Sequence, residues 1–340
     1  MSTVGSDFQE TPKTKAICHC TDRNHGDVRK AIRDHHLVTH REVYDFLEWR
    51  TPNGCATCRP AVNYYLLSTW PREAVDDPQS RFVNERVHAN VQKDNTFSVI
   101  PQMKGGVTNA AELRRIADVA DKYNVPMVKV TGGQRIDLLG IKKEDLPNVW
   151  KDLGMKSGHA YGKSIRTVKT CVGSEFCRFG TQNSTQMGID LETMLANMWS
   201  PHKVKLAVSG CPRNCAEAGI KDVGVIAVDS GWELYVGGNG GIKTEVAQFL
   251  VKVKTSDEVK EYSGAFLQLY REEAWYLDRT VHYIERVGLD YIKKKVVDDA
   301  ANRKALYERL LYSLEGLPDP WDARIAGKQK HEYIPLKVVA

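Results

Sequence analysis

The feature that most constrains this 340-residue chain is its eight cysteines, which fall into two sets of four. Cys18, Cys20, Cys55 and Cys58 make the first set, and Cys171, Cys177, Cys211 and Cys215 the second. Each set consists of two close pairs: C-x-C with C-x2-C, then C-x5-C with C-x3-C. Close pairs can converge on one centre as metal ligands do, whereas disulfide frameworks belong to small oxidised domains. The opening MSTVGSDFQETPKTK is polar and lacks the apolar core of a secretory signal. No apolar run approaches the roughly 18 residues that cross a bilayer. The expectation is a cytoplasmic protein, off the membrane, whose reduced thiols hold metal in two separate domains.

Charge narrows the partners. Lys and Arg number 48 against 43 Asp and Glu, a net +5, and no basic block of the length of a nucleic-acid tail occurs. Nucleic acid is excluded as the expected partner, while a compact anion is not.

The apolar pattern predicts an α+β protein. Residues 1–15 read as a disordered lead and 16–70 as a small helical domain. In that domain Thr39 and Glu42 form a capping box, and Pro60 sits in a first helical turn. Residues 71–87, rich in charge and proline, read as a linker. An α+β unit over 88–155 follows: a strand at Thr96–Ile100, a Gly105–Gly106 turn, and a helix capped by Thr108. Strands at Val125–Val130 and Ile136–Leu139 flank the Gly132–Gly133 turn, and a helix around Asp145–Leu153 closes the unit. A second α+β domain spans 160–300, with strands near 203–208, 222–228 and 232–236 and mostly helix from Thr244. Residues 301–340 complete the chain as a helix and tail.

Spacing alone leaves the first cysteine set open between zinc and a 2Fe–2S cluster. The segments Ile17-Cys18-His19-Cys20 and Asn53-Gly54-Cys55-Ala56-Thr57-Cys58-Arg59-Pro60 resemble 2Fe–2S domains of the bacterioferritin-associated-ferredoxin type, and that resemblance implies a 2Fe–2S cluster. The second set, in TCVGSEFCRFG and VSGCPRNCAEAG, suits a 4Fe–4S cube, whose irons each take one thiolate. Zinc is the alternative here too. These loops resemble the signature of the siroheme nitrite and sulfite reductase family, and Val236-Gly237-Gly238-Asn239 adds to the likeness. The arrangement from the 2Fe–2S domain to the tail, with Asp319-Pro320-Trp321 and His331-Glu332, resembles the C-terminal portion of the large subunits of bacterial assimilatory NAD(P)H-dependent nitrite reductases.

The resemblance implies a ferredoxin-like half-domain over 88–155, then a siroheme and 4Fe–4S domain with a helical C-terminal region. It makes Cys215 the thiolate shared between cluster and siroheme. Siroheme carries many carboxylates and nitrite is an anion, so fixed cations are needed. Lys203 and Lys205 alternate along Lys203–Val208 in a segment resembling the family's Pro-x-Lys-x-Lys, and Arg166 matches its arginine upstream of the first loop. Lys129, Thr131, Gln134 and Arg135 resemble its siroheme-lining segment. One departure stands out: where the family has a second substrate arginine before a Gly-Gly turn, this chain has Gln102, with Lys104 the nearest cation.

The implied activity is six-electron reduction of nitrite to ammonium in nitrate assimilation. Electrons would run from the 2Fe–2S to the 4Fe–4S cluster and on to siroheme. Sulfite reduction is the near alternative. A siroheme-free two-cluster electron carrier and a zinc-stabilised binding module are the others. No G-x-G-x-x-G follows a predicted strand, so the electron donor is expected in a flavoprotein NAD(P)H reductase module, or with a small subunit as partner. Family members with two repeats build one site from both, so a single repeat leaves room for a homodimer.

Overall fold

The computed structural model describes residues 15–317, together with 319, 322 and 325–327. Residues 1–14 of the expected lead over 1–15 lie outside them, as do Pro320-Trp321 and His331-Glu332 of the tail. Among the described residues the chain divides into two compact units, with the break between Ser80 and Arg81.

In the first unit, helix α1 (His25–Asp34) begins at Asn24, whose side chain and that of Asp27 cap each other's backbone N–H groups. Helix α2 (His40–Phe46) starts with the reciprocal Thr39–Glu42 box expected from the sequence. Helix α3 (Cys58–Thr69) carries Pro60 in its first turn. Val28 and Ile32 of α1, Val43 and Tyr44 of α2, and Val62, Tyr65 and Leu66 of α3 are buried. Part of the stretch read as a linker is fastened here. Arg59 binds Asp77 at 2.6 Å and Asn63 donates to Asp76 at 2.9 Å.

The second unit opens with α4 (Val83–Val87), a turn of helix where linker was expected. A four-stranded antiparallel sheet follows, in the order β1 (Asn90–Val91), β2 (Phe97–Val99), β4 (Ile136–Ile141), β3 (Met127–Val130). Helices α5 (Ala110–Lys122) and α6 (Leu146–Leu153) complete its core, through Ile116, Val119, Leu146, Val149, Trp150 and Leu153. The cap of α5 is Asn109, which accepts from Ala111 and Glu112, and not Thr108 as expected. Thr108 turns its hydroxyl to Glu112 instead.

The larger sheet has the order β11 (Gln248–Val253), β8 (Gly231–Val236), β7 (Val223–Val228), β6 (Leu206–Ser209), β5 (Lys169–Thr170). Strands β5, β6 and β7 run parallel, and β8 and β11 return antiparallel. Between them lie α7 (Gly173–Phe176), α8 (Ser184–Met194) and a two-stranded ribbon of β9 (Asn239–Gly240) and β10 (Thr244–Glu245). Helices α9 (Ser256–Glu273), α10 (Thr280–Val287), α11 (Leu289–Lys293) and α12 (Ala300–Leu314) finish the unit. All four residues of β6 are buried, which is the mark of a strand covered on both faces. Gly264 lets α9 approach α12, since a Cβ there would lie 2.7 Å from the Tyr307 ring. Strand β11 falls where helix was expected from Thr244 onward. Its Phe249, Val251 and Val253 favour strand, and its pairing with β8 fixes it as the sheet edge.

Two sheets in one unit need a seam, and Gln134 supplies it. Its side-chain amide donates to the Thr170 carbonyl at 2.7 Å and accepts from the Thr170 N–H at 2.9 Å, imitating one rung of a ladder at the free edge of β5. Glu192 of α8, buried, ties the neighbouring turn. It accepts from Gly105 N at 3.0 Å and Val168 N at 2.9 Å.

Candidate metal centres and anion site

The first set of cysteines is gathered. All four sulfurs lie within 4.8 Å of one another. Cys55 and Cys58 are 3.7 Å apart, the separation of two thiolates on one tetrahedral metal with bonds of about 2.3 Å. Burial pushes the Cys58 thiol up to about 11. Cys55 is also raised by burial, but backbone N–H groups at Cys58 and Thr57 more than offset this and bring it down to about 6. Four sulfurs crowded this closely, with the backbone N–H groups of Cys20 and Cys55 turned toward Cys18 and Cys58, fit a metal cluster. No disulfide occurs among the eight cysteines.

The second set sits on two loops that leave adjacent parallel strands at the same end. Thr170 of β5 is in register with Val208 of β6, so Cys171 follows one strand and Cys211 the other. The loops interlock: Gly210 N donates to Cys171 Sγ at 3.0 Å, and Thr181 N donates to the Gly210 carbonyl at 2.7 Å. A Cβ at Gly210 would come within 2.9 Å of Gly173 Cα, and one at Gly180 within 2.6 Å of the Gly173 carbonyl carbon. Only glycine permits that approach. Phe179 is covered by the guanidiniums of Arg178 at 4.6 Å and Arg213 at 4.0 Å, which joins the second half of each loop. Cys211 is buried and Cys215 exposed. Among the described residues only the first set draws all its ligand atoms within 4.8 Å. A cube with one thiolate at each of four irons calls for the wider spread.

Cations collect at the opposite end of the same strands. Arg166 precedes β5, its N–H bonding the Val204 carbonyl at 2.9 Å, and its guanidinium donates to the His159 carbonyl. Burial lowers the Arg166 pKa to about 10, helped by repulsion from Arg135 and Arg279. Burial, then Arg279 and Arg166, lowers Lys203; burial, then Lys203 and Arg279, lowers Lys205. Burial and the same group of charges push His202 down to about 3, leaving it neutral. Two buried carboxylates answer this cluster, Glu85 toward Arg166 and Asp222 toward Arg279, Lys203 and Lys205. Asp222, fully buried, takes Arg279 at 2.8 Å, Thr280 at 2.5 Å and Lys205 N at 2.8 Å. Cations held together with so little counter-charge make an anion site.

Arg279 and His202 were not expected from sequence. Arg279 lies far along the chain at the start of α10, and no local pattern sets it apart; His202 sat in view inside the Pro-x-Lys-x-Lys segment. Of the other expected residues, Arg135 stays close enough to act on Arg166, while the rest are engaged elsewhere or exposed. Lys129 is exposed on β3, Thr131 donates to the Arg135 carbonyl at 3.3 Å, and Gln134 is committed to Thr170. Arg135 folds over Gly133 with its Nε buried and unpartnered, so its donor is available to a bound group. Gln102 reaches Glu192 at 3.4 Å.

Comparison with known proteins matches this geometry. Residues 161–304 match the family model described as the nitrite and sulphite reductase 4Fe-4S domain. Residues 90–156 match the nitrite/sulfite reductase ferredoxin-like half domain, and residues 16–68 the BFD-like [2Fe-2S] binding domain. The chain is 56% identical over 337 residues to "Nitrite reductase [NAD(P)H]" of Bacillus subtilis (strain 168), covering 99% of this chain and 42% of that protein. It is 33% identical to "Sulfite reductase, assimilatory-type" of Nitratidesulfovibrio vulgaris, covering 62% of this chain and 96% of that one. The structure of the Mycobacterium tuberculosis NirA protein shares the fold at a TM-score of 0.52 and 21% identity, over 60% of this chain and 41% of that one. The chain belongs to the nitrite and sulfite reductase family, joined here to a BFD-like [2Fe-2S] domain. It spans less than half the length of the Bacillus relative.

Proposed function

We propose that this chain is the siroheme and iron–sulfur part of an assimilatory nitrite reductase, working in the cytoplasm. The observation that carries the reading is the cation cluster of Arg166, Lys203, Lys205 and Arg279, with Asp222 buried among them. Cys18, Cys20, Cys55 and Cys58 would hold a 2Fe–2S cluster, and Cys171, Cys177, Cys211 and Cys215 a 4Fe–4S cluster with Cys215 shared with siroheme; together these groups would supply the electrons and the iron for nitrite. The residues of the chain do the rest. Arg166, Lys203 and Lys205 hold the anion and stabilise charge on its oxygens, and the two ammoniums, their proton affinity already reduced, give up protons as water leaves. Arg135, Lys129 and Thr131 face the siroheme carboxylates, while Gln134 acts by fixing the turn that carries them.

Strand polarity bears on the assembly. Lys203 and Lys205 precede β6 and the second cysteine set follows it. The run from Lys205 to Ser209 is about 13 Å at roughly 3.3 Å per residue. A homodimer in which the cations of one copy face the cysteines of the other completes the site. Electrons then come from a flavoprotein NAD(P)H reductase module, with a small subunit as further partner.

The test is the absorption spectrum of anaerobically purified protein with iron, sulfide and zinc counted. A Soret-type band with a red band and iron for both clusters is expected. A colourless zinc protein, or clusters without the red band, overturns the reading. Sulfite reduction is the second reading, favoured by the near-complete coverage of the Nitratidesulfovibrio relative. Comparing kcat/KM for nitrite and sulfite with an artificial donor decides between them.

A further inference from the structure

His159 is a strained residue beside the anion site, and neither of its ring nitrogens is spare. Its φ is 50°, a left-handed backbone that a non-glycine residue adopts at a cost. That backbone turns the His159 carbonyl toward the Arg166 guanidinium, which donates to it. The ring is clamped from both sides. Nε2 lies 2.7 Å from Asn197 Oδ1, and Asn197 Nδ2 donates to the Leu317 carbonyl at 3.2 Å, which fixes the orientation of the amide. His159 is therefore the Nε2–H tautomer, with the Nδ1 lone pair toward the Tyr161 hydroxyl at 3.4 Å. Tyr161 is held in turn by Ser157 at 3.3 Å and His88 at 3.3 Å. Burial lowers the His159 pKa and keeps the ring neutral, as this tautomer requires.

We propose that His159 is a positioning residue for anion binding: its clamped ring holds a left-handed peptide whose carbonyl aims Arg166 at the anion. The inference rests on the reading of Arg166 as an anion contact. The imidazole itself carries no proton to the substrate; its part is to pin the backbone. An alanine, with neither the clamp nor a tolerance for the left-handed region, lets the peptide relax toward ordinary φ, so that the carbonyl swings away and the guanidinium loses its fixed direction. Asn tolerates the left-handed region far better than Ala does, so the two substitutions separate backbone geometry from imidazole chemistry.

The experiment compares wild type, His159→Ala and His159→Asn in the full chain, both loaded and unloaded. In loaded protein with an artificial donor, His159→Ala is expected to raise the KM for nitrite about tenfold with kcat little changed, and His159→Asn to restore most of the loss. In unloaded protein, 15N NMR of the arginine side chains is expected to show the Arg166 Nη protons slowed in wild type and in His159→Asn, and freely exchanging in His159→Ala. Equal defects in both variants, or a fall in kcat with KM unchanged, overturns the proposal in favour of imidazole chemistry. Freely exchanging Arg166 protons in wild type overturn it as well. A normal Arg166 signal pattern together with a nitrite KM indifferent to Arg166→Met sinks the anion-site reading instead, and the inference with it.

Discussion

The two cysteine sets solve one problem with opposite means. In the first, three short helices and their loops bring four sulfurs within 4.8 Å, beside a small apolar core that includes Val28, Ile32, Val62 and Leu66. In the second, a five-stranded sheet with its own large apolar core ends in two interlocked loops, and the cysteines ride on them. A unit this small has too little apolar surface to stand firmly alone, so the metal carries part of the folding free energy. A sheet of this size does not need its cluster to fold. The first site is thus a structural commitment and the second a functional addition, although both are written in cysteine.

Replacement at the first site is the sharpest way to break the contrast. Cys58→Ser is expected to abolish the cooperative unfolding transition of residues 16–69 and leave that of the larger unit in place, read by amide exchange of α1 and α3 against β6 and β7. Cys211→Ser should cost the second cluster while leaving the exchange pattern of its sheet intact. Melting of the sheet would erase the distinction.

The anion site gives the next effect. Arg279→Met strands Asp222, which is fully buried, and is expected to cost about 3–5 kcal/mol in denaturant unfolding of the larger unit. A loss under about 1 kcal/mol would mean that water reaches the carboxylate.

Acid offers a milder test. The folded pKa of His202, near 3, lies below its ordinary 6.5, so the unfolded chain binds more protons in between. Stability from this residue is present above pH 6.5 and is lost as pH falls toward 3. His202→Gln should flatten the pH dependence of the larger unit in that window and leave the first unit unchanged.

The smallest effect is expected at a cap. Asn24→Ala removes one side of the reciprocal pair with Asp27 and should cost about 1 kcal/mol, measured as a shift in the melting of the first unit.

Local signals were legible in the sequence wherever the physics is local. The Thr39–Glu42 box, Pro60, the glycine turns and the apolar runs of β7 and β8 all act within a few residues, and the α+β class follows from them. Where a distant partner decides, sequence reading missed. Strand β11 forms against β8; the cap at Asn109 was, by exception, a local miss, since its oxygen reaches the N–H groups two and three residues on. At the site, Lys203, Lys205 and Arg166 stood near a recognisable motif. Arg279 comes from α10 and is drawn in by Asp222, a carboxylate that looks ordinary in sequence. Gln134 was legible as a residue but not as a seam, because its role depends on the edge of a strand 36 positions away.

That seam discriminates by atom type and not by bulk. Gln134 meets Thr170 with one donor and one acceptor, so Gln134→Glu, nearly identical in volume, would set a carboxylate oxygen against a carbonyl oxygen. An exchange of one nitrogen for one oxygen turns the stitch into a wedge, immediately ahead of Cys171.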